Sequence, residues 1–311
     1  MKKHLNVNTG TVIAVYQNQV SVQFDDQVFN CQLVGGATRK KQNKGRTWTE
    51  ILVGDQVEFA HGVIQRVLPR QNHFSRRKAG PKAVEQKIAA NIDQIIAVLS
   101  VQNPAPKWNL LDRYLTAAEI AEIPVLICMT KMDLEPTGEG QQKDLEDALA
   151  VYQDLGYAVQ FTSTQHESGL EALRKDLQGK TSLMIGKSGV GKSSLMNALF
   201  PQVARSVGVV GNESGKGKHT TSSAWMHCVD SDTRLIDTSG TREFGLWLGE
   251  AEDLQYCFIE MQSFIGKCRF GLSCWHDEEP DCAVRQAVIQ GEIDPRRYQS
   301  YLKLLDEERA S

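Results

Sequence analysis

The stretch that decides the fold is TSLMIGKSGVGKSSLMNALF, at residues 181–200. A short apolar run leads into Gly186, the pattern G-x-x-x-x-G-K-S ends at Ser193, and a helix-forming run follows, which is the strand–loop–helix context that this motif requires. Glycines there let successive backbone N–H groups turn towards phosphate oxygens, and the helix N-terminus adds its positive dipole end. We interpret the stretch as a phosphate-binding loop rather than a glycine-rich turn without a ligand.

The predicted phosphate contacts come from the loop and the first turn of the helix. They are Gly186, Lys187, Ser188, Gly189, Val190, Gly191, Lys192, Ser193 and Ser194. Lys192 is expected to act catalytically by reaching the terminal phosphates, and the Ser193 hydroxyl is expected to ligate Mg²⁺. A D-x-x-G pattern begins at Asp237, where the carboxylate would stabilise the Mg²⁺ shell and the Gly240 N–H would contact a γ-phosphate.

A third pattern indicates which base is bound. Thr130-Lys131-Met132-Asp133 follows an apolar run and is close to the usual N-K-x-D, with Thr130 in place of Asn. A carboxylate at Asp133 can accept both the N1–H and the exocyclic amine of guanine, whereas adenine offers no such pair of donors. Lys131 would cover the face of the base, and Ser163 fits a second base-contact loop. Together with the phosphate loop, the pattern predicts a GTPase.

The order of these patterns is unusual. Ordinary GTPases place the phosphate loop first and the base motif last, whereas here the base motif lies about fifty residues before the loop. Continuous apolar runs at 94–99 and 123–129, with a helical pattern between them, predict parallel strands buried on both faces. Residues 82–247 are therefore expected to form a circularly permuted α/β P-loop GTPase domain, because domain termini commonly lie close enough to be rejoined.

The N-terminal region, residues 1–72, is typical of a small β-barrel. Its β-branched and aromatic runs, separated by turns, lie at 11–15, 19–24, 27–33, 57–59 and 62–67. Five short strands in about seventy residues predict an OB-fold.

The charge is distributed unevenly. The net charge is −3, but residues 1–87 carry fourteen Lys and Arg against six Asp and Glu, a net of +8, and the rest carries −11. The basic residues cluster at 39–46 and 66–87. Such clusters bind nucleic acid by releasing counterions from phosphates, so we interpret them as an RNA-contact surface that includes Trp48; two solvated charged loops are the alternative.

The C-terminal region, residues 250–311, reads as mostly helical with a Cys- and His-rich stretch. The residues Cys268, Cys274, His276 and Cys282 form C-x₅-C-x-H-x₅-C. A Cys₃His set suits tetrahedral Zn²⁺, so we expect one structural zinc; free thiols in a loop are the alternative. With no apolar run of about 18 residues for a membrane span, the expected compartment is the cytoplasm, where cysteines serve as thiols or metal ligands rather than disulfides.

On these motifs the chain resembles the ribosome small-subunit-dependent GTPase A family over essentially its whole length. The resemblance implies an OB-fold, a permuted GTPase domain and a zinc-binding domain. It also implies late maturation of the small ribosomal subunit, with contacts to its rRNA, as a monomer whose hydrolysis of GTP to GDP the subunit stimulates. The stretch GKGKHTT at 215–221 resembles the first switch of that family, so Thr220 or Thr221 would ligate Mg²⁺.

The chain lacks the residue that usually positions the water molecule for GTP hydrolysis. Many GTPases carry a Gln directly after D-x-x-G that orients the attacking water, but this chain has Thr241 there, followed by Arg242. We expect slow intrinsic turnover, with His219 as the candidate for positioning water; a surface-loop histidine is the competing interpretation. Two other functions stay open, an ATPase or phosphotransferase on the same loop and an RNA-binding module with a vestigial nucleotide site.

Overall fold

The computed structural model describes residues 7–16, 19–33, 50–78, 84–134, 139–201, 224–238, 245, 247 and 251–310. Along the chain these residues form a barrel, a two-stranded ribbon, a six-stranded sheet with helices, and a helical C-terminal part.

The barrel is closed by five strands in the order β1-β2-β3-β5-β4. Their bounds are β1 Asn8–Val15, β2 Val20–Phe24, β3 Gln27–Leu33, β4 Gln56–Ala60 and β5 Val63–Val67. Strand β3 pairs with β5 in parallel, and every other pair is antiparallel. Alternate side chains such as Val22, Val57 and Phe59 fill the interior. The predicted OB-fold is confirmed.

A ribbon that the sequence patterns did not predict follows the barrel. It consists of β6 His73–Arg77 and β7 Glu85–Ala90, paired antiparallel. The Ala90 N–H donates to the Val53 carbonyl of the barrel at 2.9 Å, and the Arg77 N–H donates to the Gly245 carbonyl at 2.9 Å. The ribbon therefore joins the barrel to the chain just beyond the D-x-x-G motif. Its charged residues had suggested a loop.

The central sheet has the strand order β10-β9-β8-β11-β13-β12. The strands are β8 Gln94–Ser100, β9 Val125–Thr130, β10 Ala158–Phe161, β11 Thr181–Ile185, β12 Ala224–Cys228 and β13 Arg234–Thr238. Its helices are α1 Trp108–Ile120, α2 Glu139–Asp154, α3 Leu170–Leu177 and α4 Lys192–Leu199. All neighbours pair in parallel except β12 with β13. Every residue of β8 is buried, as its continuous apolar run predicts.

Three details of the sheet differ from the sequence-based expectation. Strand β13 continues to Thr238, so Asp237 lies within the strand instead of after it. Strand β12 and helix α3 are not predicted from the sequence, because each is too short to show a clear periodicity. Helix α2 begins at Glu139, five residues before the expected start at Asp144.

The C-terminal part packs on helix α1 through its last helix and its first 3₁₀ segment. Three 3₁₀ segments, Ala251–Cys257, Ile259–Met261 and Gly271–Ser273, precede α5 Ala283–Gln290 and α6 Pro295–Arg309. Helix α6 has the predicted bounds: Pro295 occupies its first turn, and the side chain of Asp294 accepts the N–H groups of Arg296 and Arg297. An Asp N-cap followed by Pro is a strong start signal.

A buried ion network joins this part to two helices that flank the central sheet. Arg297 of α6 is 2% exposed and donates to Asp112 of α1 at 2.7 Å and to Glu260 at 2.7 Å. The Tyr152 hydroxyl of α2 also donates to Asp112, at 2.7 Å, and the guanidinium lies 4.6 Å from the centre of the Phe258 ring. Among the described residues, no helix is both long enough and apolar enough to cross a bilayer.

Candidate nucleotide site and metal centre

The phosphate loop connects the central strand β11 to α4, as the sequence predicts. Gly189 and Gly191 have φ values of +87° and +96°, which side chains with a Cβ rarely adopt. A Cβ on Gly186 would lie 2.4 Å from the Val98 carbonyl oxygen. The loop therefore sits at the carboxyl ends of β11 and its neighbours β8 and β13, where open α/β sheets bind ligands.

Lys192 and Asp237 place opposite charges beside the phosphate loop. The Lys192 ammonium donates to the carbonyls of Gly186 at 2.7 Å and Lys187 at 3.2 Å. Burial lowers the pKa of Lys192, and the neighbouring Asp237 carboxylate opposes that shift. Burial likewise raises the pKa of Asp237, against the effect of Lys192. The site thus offers one cation for phosphate oxygens and one carboxylate oxygen for a hard metal ion.

Thr130 ends β9 beneath the phosphate loop and is 4% exposed. Its hydroxyl lies 2.5 Å from the Val190 carbonyl and 3.0 Å from the Leu99 carbonyl. A hydroxyl carries one proton, so the two carbonyls share a single donor. The first residue of the base motif is in this way hydrogen-bonded to the loop that binds phosphate.

Lys131, the second residue of the base motif, also contacts the phosphate loop. Its ammonium donates to the Gly189 carbonyl at 2.7 Å and also to the Asn103 carbonyl. Asn103 belongs to the segment between β8 and α1. Asn103 could not be identified from the sequence, because the contact uses a backbone carbonyl that any residue supplies.

Asp133 is held by Ser163, as expected for two base-contact loops. The Ser163 hydroxyl donates to the Asp133 carboxylate at 2.5 Å. The same oxygen accepts the N–H groups of Gln165 at 3.2 Å and His166 at 3.1 Å, which fixes the direction of the hydroxyl. The hydrogen bond from Ser163 lowers the pKa of Asp133, so its carboxylate is ionised and acceptor-only at neutral pH.

Most of the predicted nucleotide contacts surround one site. Ser188, Ser193 and Ser194 are exposed at the loop and the start of α4, and Lys187 is half-buried. Four predicted residues, His219, Thr220, Thr221 and Gly240, lie outside the described residues, as do Thr241, Arg242 and Trp48. Their roles stay predictions.

The four predicted metal ligands meet in one buried cluster. They are Cys268, Cys274, His276 and Cys282, whose ligand atoms all lie within 4.8 Å of one another. The sulfurs of Cys268 and Cys282 are 3.7 Å apart, and each lies 3.4 Å from Nδ1 of His276. A tetrahedron with Zn–S bonds of about 2.3 Å has sulfur–sulfur edges of about 3.8 Å. The cluster therefore has the size and the donor set for a metal ion.

The surroundings of the cluster favour a cation. The Ala283 N–H donates to the Cys268 sulfur at 3.2 Å, as suits a thiolate. Burial, together with the neighbouring Cys268 and Cys282, raises the pKa of the Cys274 thiol to about 12, so a bound cation is what would stabilise the thiolate form at neutral pH. The loop between Cys268 and Cys274 contains the 3₁₀ segment Gly271–Ser273.

The basic residues near the barrel are partly neutralised. Arg66 pairs with Glu58 at 2.7 Å. Arg70 pairs with the fully buried Asp55 at 2.6 Å, and this pair anchors the loop before β4. Residues 39–46 lie outside the described part of the chain. Further described basic residues lie on the ribbon or directly after β6: Lys87 pairs with Glu85 at 4.0 Å, Arg76 donates to the side chain of Gln86, and Lys78 is exposed.

Comparison with known proteins gives a consistent result. The family model described as RsgA GTPase matches residues 67–247. "Small ribosomal subunit biogenesis GTPase RsgA" of Haemophilus influenzae (strain PittGG) is 38% identical over 309 residues, which are 96% of this chain and 84% of that protein. The protein of the same name from Shewanella oneidensis is 37% identical over 318 residues, covering 97% and 84%.

Solved structures agree over the whole length. The crystal structure of YjeQ from Thermotoga maritima has a TM-score of 0.73 and 30% identity, covering 98% of this chain and 99% of that one. The structure of YloQ, titled a circularly permuted GTPase, has a TM-score of 0.72 and 28% identity, covering 100% and 98%. A barrel, a P-loop sheet with its base motif upstream and a C-terminal Cys₃His cluster are thus shared with relatives of similar length, and the chain belongs to the RsgA GTPase family.

Proposed function

We propose that this GTPase acts in the late maturation of the small ribosomal subunit, binding the subunit and its rRNA and hydrolysing GTP to GDP and phosphate under its stimulation. The observation that carries the proposal is the contact of the guanine motif with the phosphate loop through Lys131 and Gly189, in a chain whose full-length relatives are named small ribosomal subunit biogenesis GTPases. The protein works as a monomer in the cytoplasm, where ribosomes assemble.

The nucleotide residues divide by chemistry. Asp133, oriented by Ser163, reads guanine, while Thr130 and Lys131 hold the base motif against the phosphate loop. Backbone N–H groups of residues 186–191 and the N-terminus of α4 take the phosphates, and Lys192 places its charge against the terminal ones. Ser193 and Asp237, with Thr220 or Thr221, would hold Mg²⁺. The Gly240 N–H would contact the γ-phosphate. His219 positions the attacking water.

The proposal includes two metal ions. Oxygen donors such as the Ser193 hydroxyl and the Asp237 carboxylate suit Mg²⁺, which supplies positive charge against the phosphate oxygens when it is bound. The Cys₃His cluster takes one structural Zn²⁺, as its donor set and spacing support. Residues 1–72 form the RNA-binding domain, 82–247 the GTPase domain and 250–311 the zinc domain.

The ribosomal contact rests on charge. The N-terminal 87 residues carry a net +8, and the ribbon presents Arg76, Lys78 and Lys87 next to the barrel. Such a surface binds RNA backbones with an affinity that falls steeply with salt. Arg66 and Arg70 already form ion pairs with Glu58 and Asp55. Each therefore adds less to the RNA affinity than an unpaired arginine would.

The decisive experiment is GTP hydrolysis with and without purified small subunits. We expect a slow basal rate and a large stimulation by the small subunit, and a smaller one by the large subunit. Equal rates in all three reactions would contradict the ribosomal function. An ATP affinity equal to the GTP affinity would favour the ATPase or phosphotransferase alternative, and the absence of any turnover would favour an RNA-binding module.

A further inference from the structure

The buried side chain of Gln255 lies against the metal cluster without belonging to it. Gln255 is 6% exposed, and its Oε1 lies 3.0 Å from Nε2 of His276, a fully buried predicted ligand. Gln255 is thirteen residues before the first cysteine, in the 3₁₀ segment Ala251–Cys257. It is not part of the C-x₅-C-x-H-x₅-C pattern, so the sequence pattern did not identify it.

The partners of the amide fix its orientation. Nε2 of Gln255 donates to the Glu252 carbonyl at 3.1 Å, and a carbonyl can only accept. The NH₂ group therefore faces Glu252, and the carbonyl oxygen faces the imidazole. Reversing the amide would place its oxygen against the Glu252 carbonyl oxygen, with no hydrogen atom between the two acceptors.

This orientation sets the tautomer of His276. Because Oε1 of Gln255 can only accept, Nε2 of His276 must carry the proton. Nδ1 is then left with a free lone pair, and Nδ1 is the atom that lies 3.4 Å from the sulfurs of Cys268 and Cys282. The lone pair points at the place where a metal ion would bind.

The backbone of His276 is held as well. Its φ is +60°, and its carbonyl accepts from the Tyr298 hydroxyl at 2.6 Å. These contacts fix the backbone of the residue, but they do not determine which ring nitrogen carries the proton. The hydrogen bond between His276 and Gln255 determines which ring nitrogen carries the proton and which one faces the sulfurs.

We propose that Gln255 is the positioning residue of the metal centre: it holds His276 in the Nε2–H tautomer, with Nδ1 as the metal-binding atom. The inference rests on the zinc site proposed above. It also gives the segment Ala251–Cys257 a second task. Its Leu254 is buried in the core shared with α1, so the hydrogen bond that His276 donates to Gln255 ties the metal centre to a segment that packs on α1.

The test uses the full chain and three variants. Gln255→Met keeps the length and volume of the side chain but has no acceptor. Gln255→Glu keeps an acceptor for His276, but it loses the donor to the Glu252 carbonyl and adds a charge beside it. Gln262→Met is the matched control, because Gln262 is exposed in the same region and donates to the Tyr256 carbonyl. Zinc affinity is measured by competition with a chromogenic chelator.

Loss of a hydrogen bond to a ligating histidine weakens metal binding by about 10- to 100-fold. We expect that loss for Gln255→Met, a value between it and the parent for Gln255→Glu, and the parent value for Gln262→Met. In the zinc-loaded parent, ¹⁵N spectra of the histidine rings should show His276 protonated at Nε2 and metal-bound at Nδ1. This last measurement needs no variant, so it holds even if Gln255→Met fails to fold.

The outcomes separate the two proposals. A parent chain that binds no zinc contradicts the zinc site itself. A parent that binds zinc through Nε2 of His276, or a folded Gln255→Met variant with the parent affinity, contradicts the role of Gln255 and leaves the zinc site standing.

Discussion

The ammonium of Lys131 donates a 2.7 Å hydrogen bond to the carbonyl of Gly189, 58 residues further along the chain. The first residue belongs to the base motif and the second to the phosphate loop. In this permuted chain the two motifs come from opposite halves of the domain, and the bond is one of the contacts by which they form a single site. The arrangement can be tested by substitution.

Lys131→Met should weaken GDP binding. The change removes a hydrogen bond from a charged donor, worth about 1.5 kcal/mol at a partly exposed site, and hence about tenfold in affinity. Fluorescent GDP titration measures it. Lys143→Met, an exposed change on α2, is the control and should bind as the parent does. Equal affinity for the two variants would contradict the bridging role of Lys131.

Asp133→Asn should change the preferred base. Asparagine presents one oxygen and one NH₂ group where Asp133 presents two oxygens, so GDP binding should weaken by about 10- to 100-fold, whereas xanthosine diphosphate, with an oxygen in place of the amine, should bind better. Competition titrations of both nucleotides measure the change. Ser163→Ala keeps the carboxylate and should lose less affinity without altering the preference. The opposite ranking of nucleotides would show that Asp133 does not read the base.

Thr130→Asn should tighten nucleotide binding. One hydroxyl proton serves the carbonyls of Val190 and Leu99, whereas an amide of similar volume has two donors and can satisfy both. We expect a rise in GDP affinity of about threefold to tenfold, since one neutral hydrogen bond is worth about 1 kcal/mol. Thr130→Val, which removes the donor, should lower the affinity. If both variants move it in the same direction, packing and not hydrogen bonding sets the effect.

Arg297→Met should destabilise the whole chain. The substitution leaves the carboxylates of Asp112 and Glu260 buried without their cation, which costs about 3–5 kcal/mol. The free energy of unfolding, followed by urea titration, should fall by that amount. The neighbouring Arg296→Met is the control, because its side chain is 43% exposed and the change should cost within about 0.5 kcal/mol. Similar midpoints for both variants would mean that α6 is held by apolar packing alone.

Removal of zinc should loosen the C-terminal part before the rest. Treatment with a chelator, or Cys274→Ser, removes the ion that would hold residues 268–282 together, and binding energy at such sites is folding energy. Hydrogen exchange should rise in α5 and around Cys282 while β8 stays protected. Restoring zinc should reverse the change in the parent and not in Cys274→Ser. Unchanged exchange after full metal loss would refute a structural role.

Local patterns predicted the parts of the fold that depend on neighbouring residues. The phosphate loop, the buried strand β8 and helix α6 with its Asp294 cap appear where the sequence indicates, because each is defined by a few consecutive residues. Strand β12 and the ribbon were missed. Each pairs with the next strand along the chain, β12 with β13 and β6 with β7, but strands this short carry little periodicity of their own.

The candidate site follows the same division. Side chains with motif chemistry, such as Asp133, Lys192 and the four metal ligands, were found from spacing. The Asn103 carbonyl and Gln255 were not, since their roles depend on tertiary contacts that no spacing encodes. The ion pairs of Arg66 and Arg70 likewise become visible only when Glu58 and Asp55 are brought beside them.

The bridge between Arg77 and Gly245 bears on where the chain can be cut. A Cβ on Gly245 would lie 3.0 Å from the Cβ of Arg77, so the two backbones meet closely, and the chain between them is closed into a ring that contains the whole catalytic sheet. An expression fragment that starts at Gln94, the first strand of the sheet, would open that ring and leave the Gly245 carbonyl without its donor. A shortened enzyme meant to keep its catalytic half intact should instead begin ahead of His73.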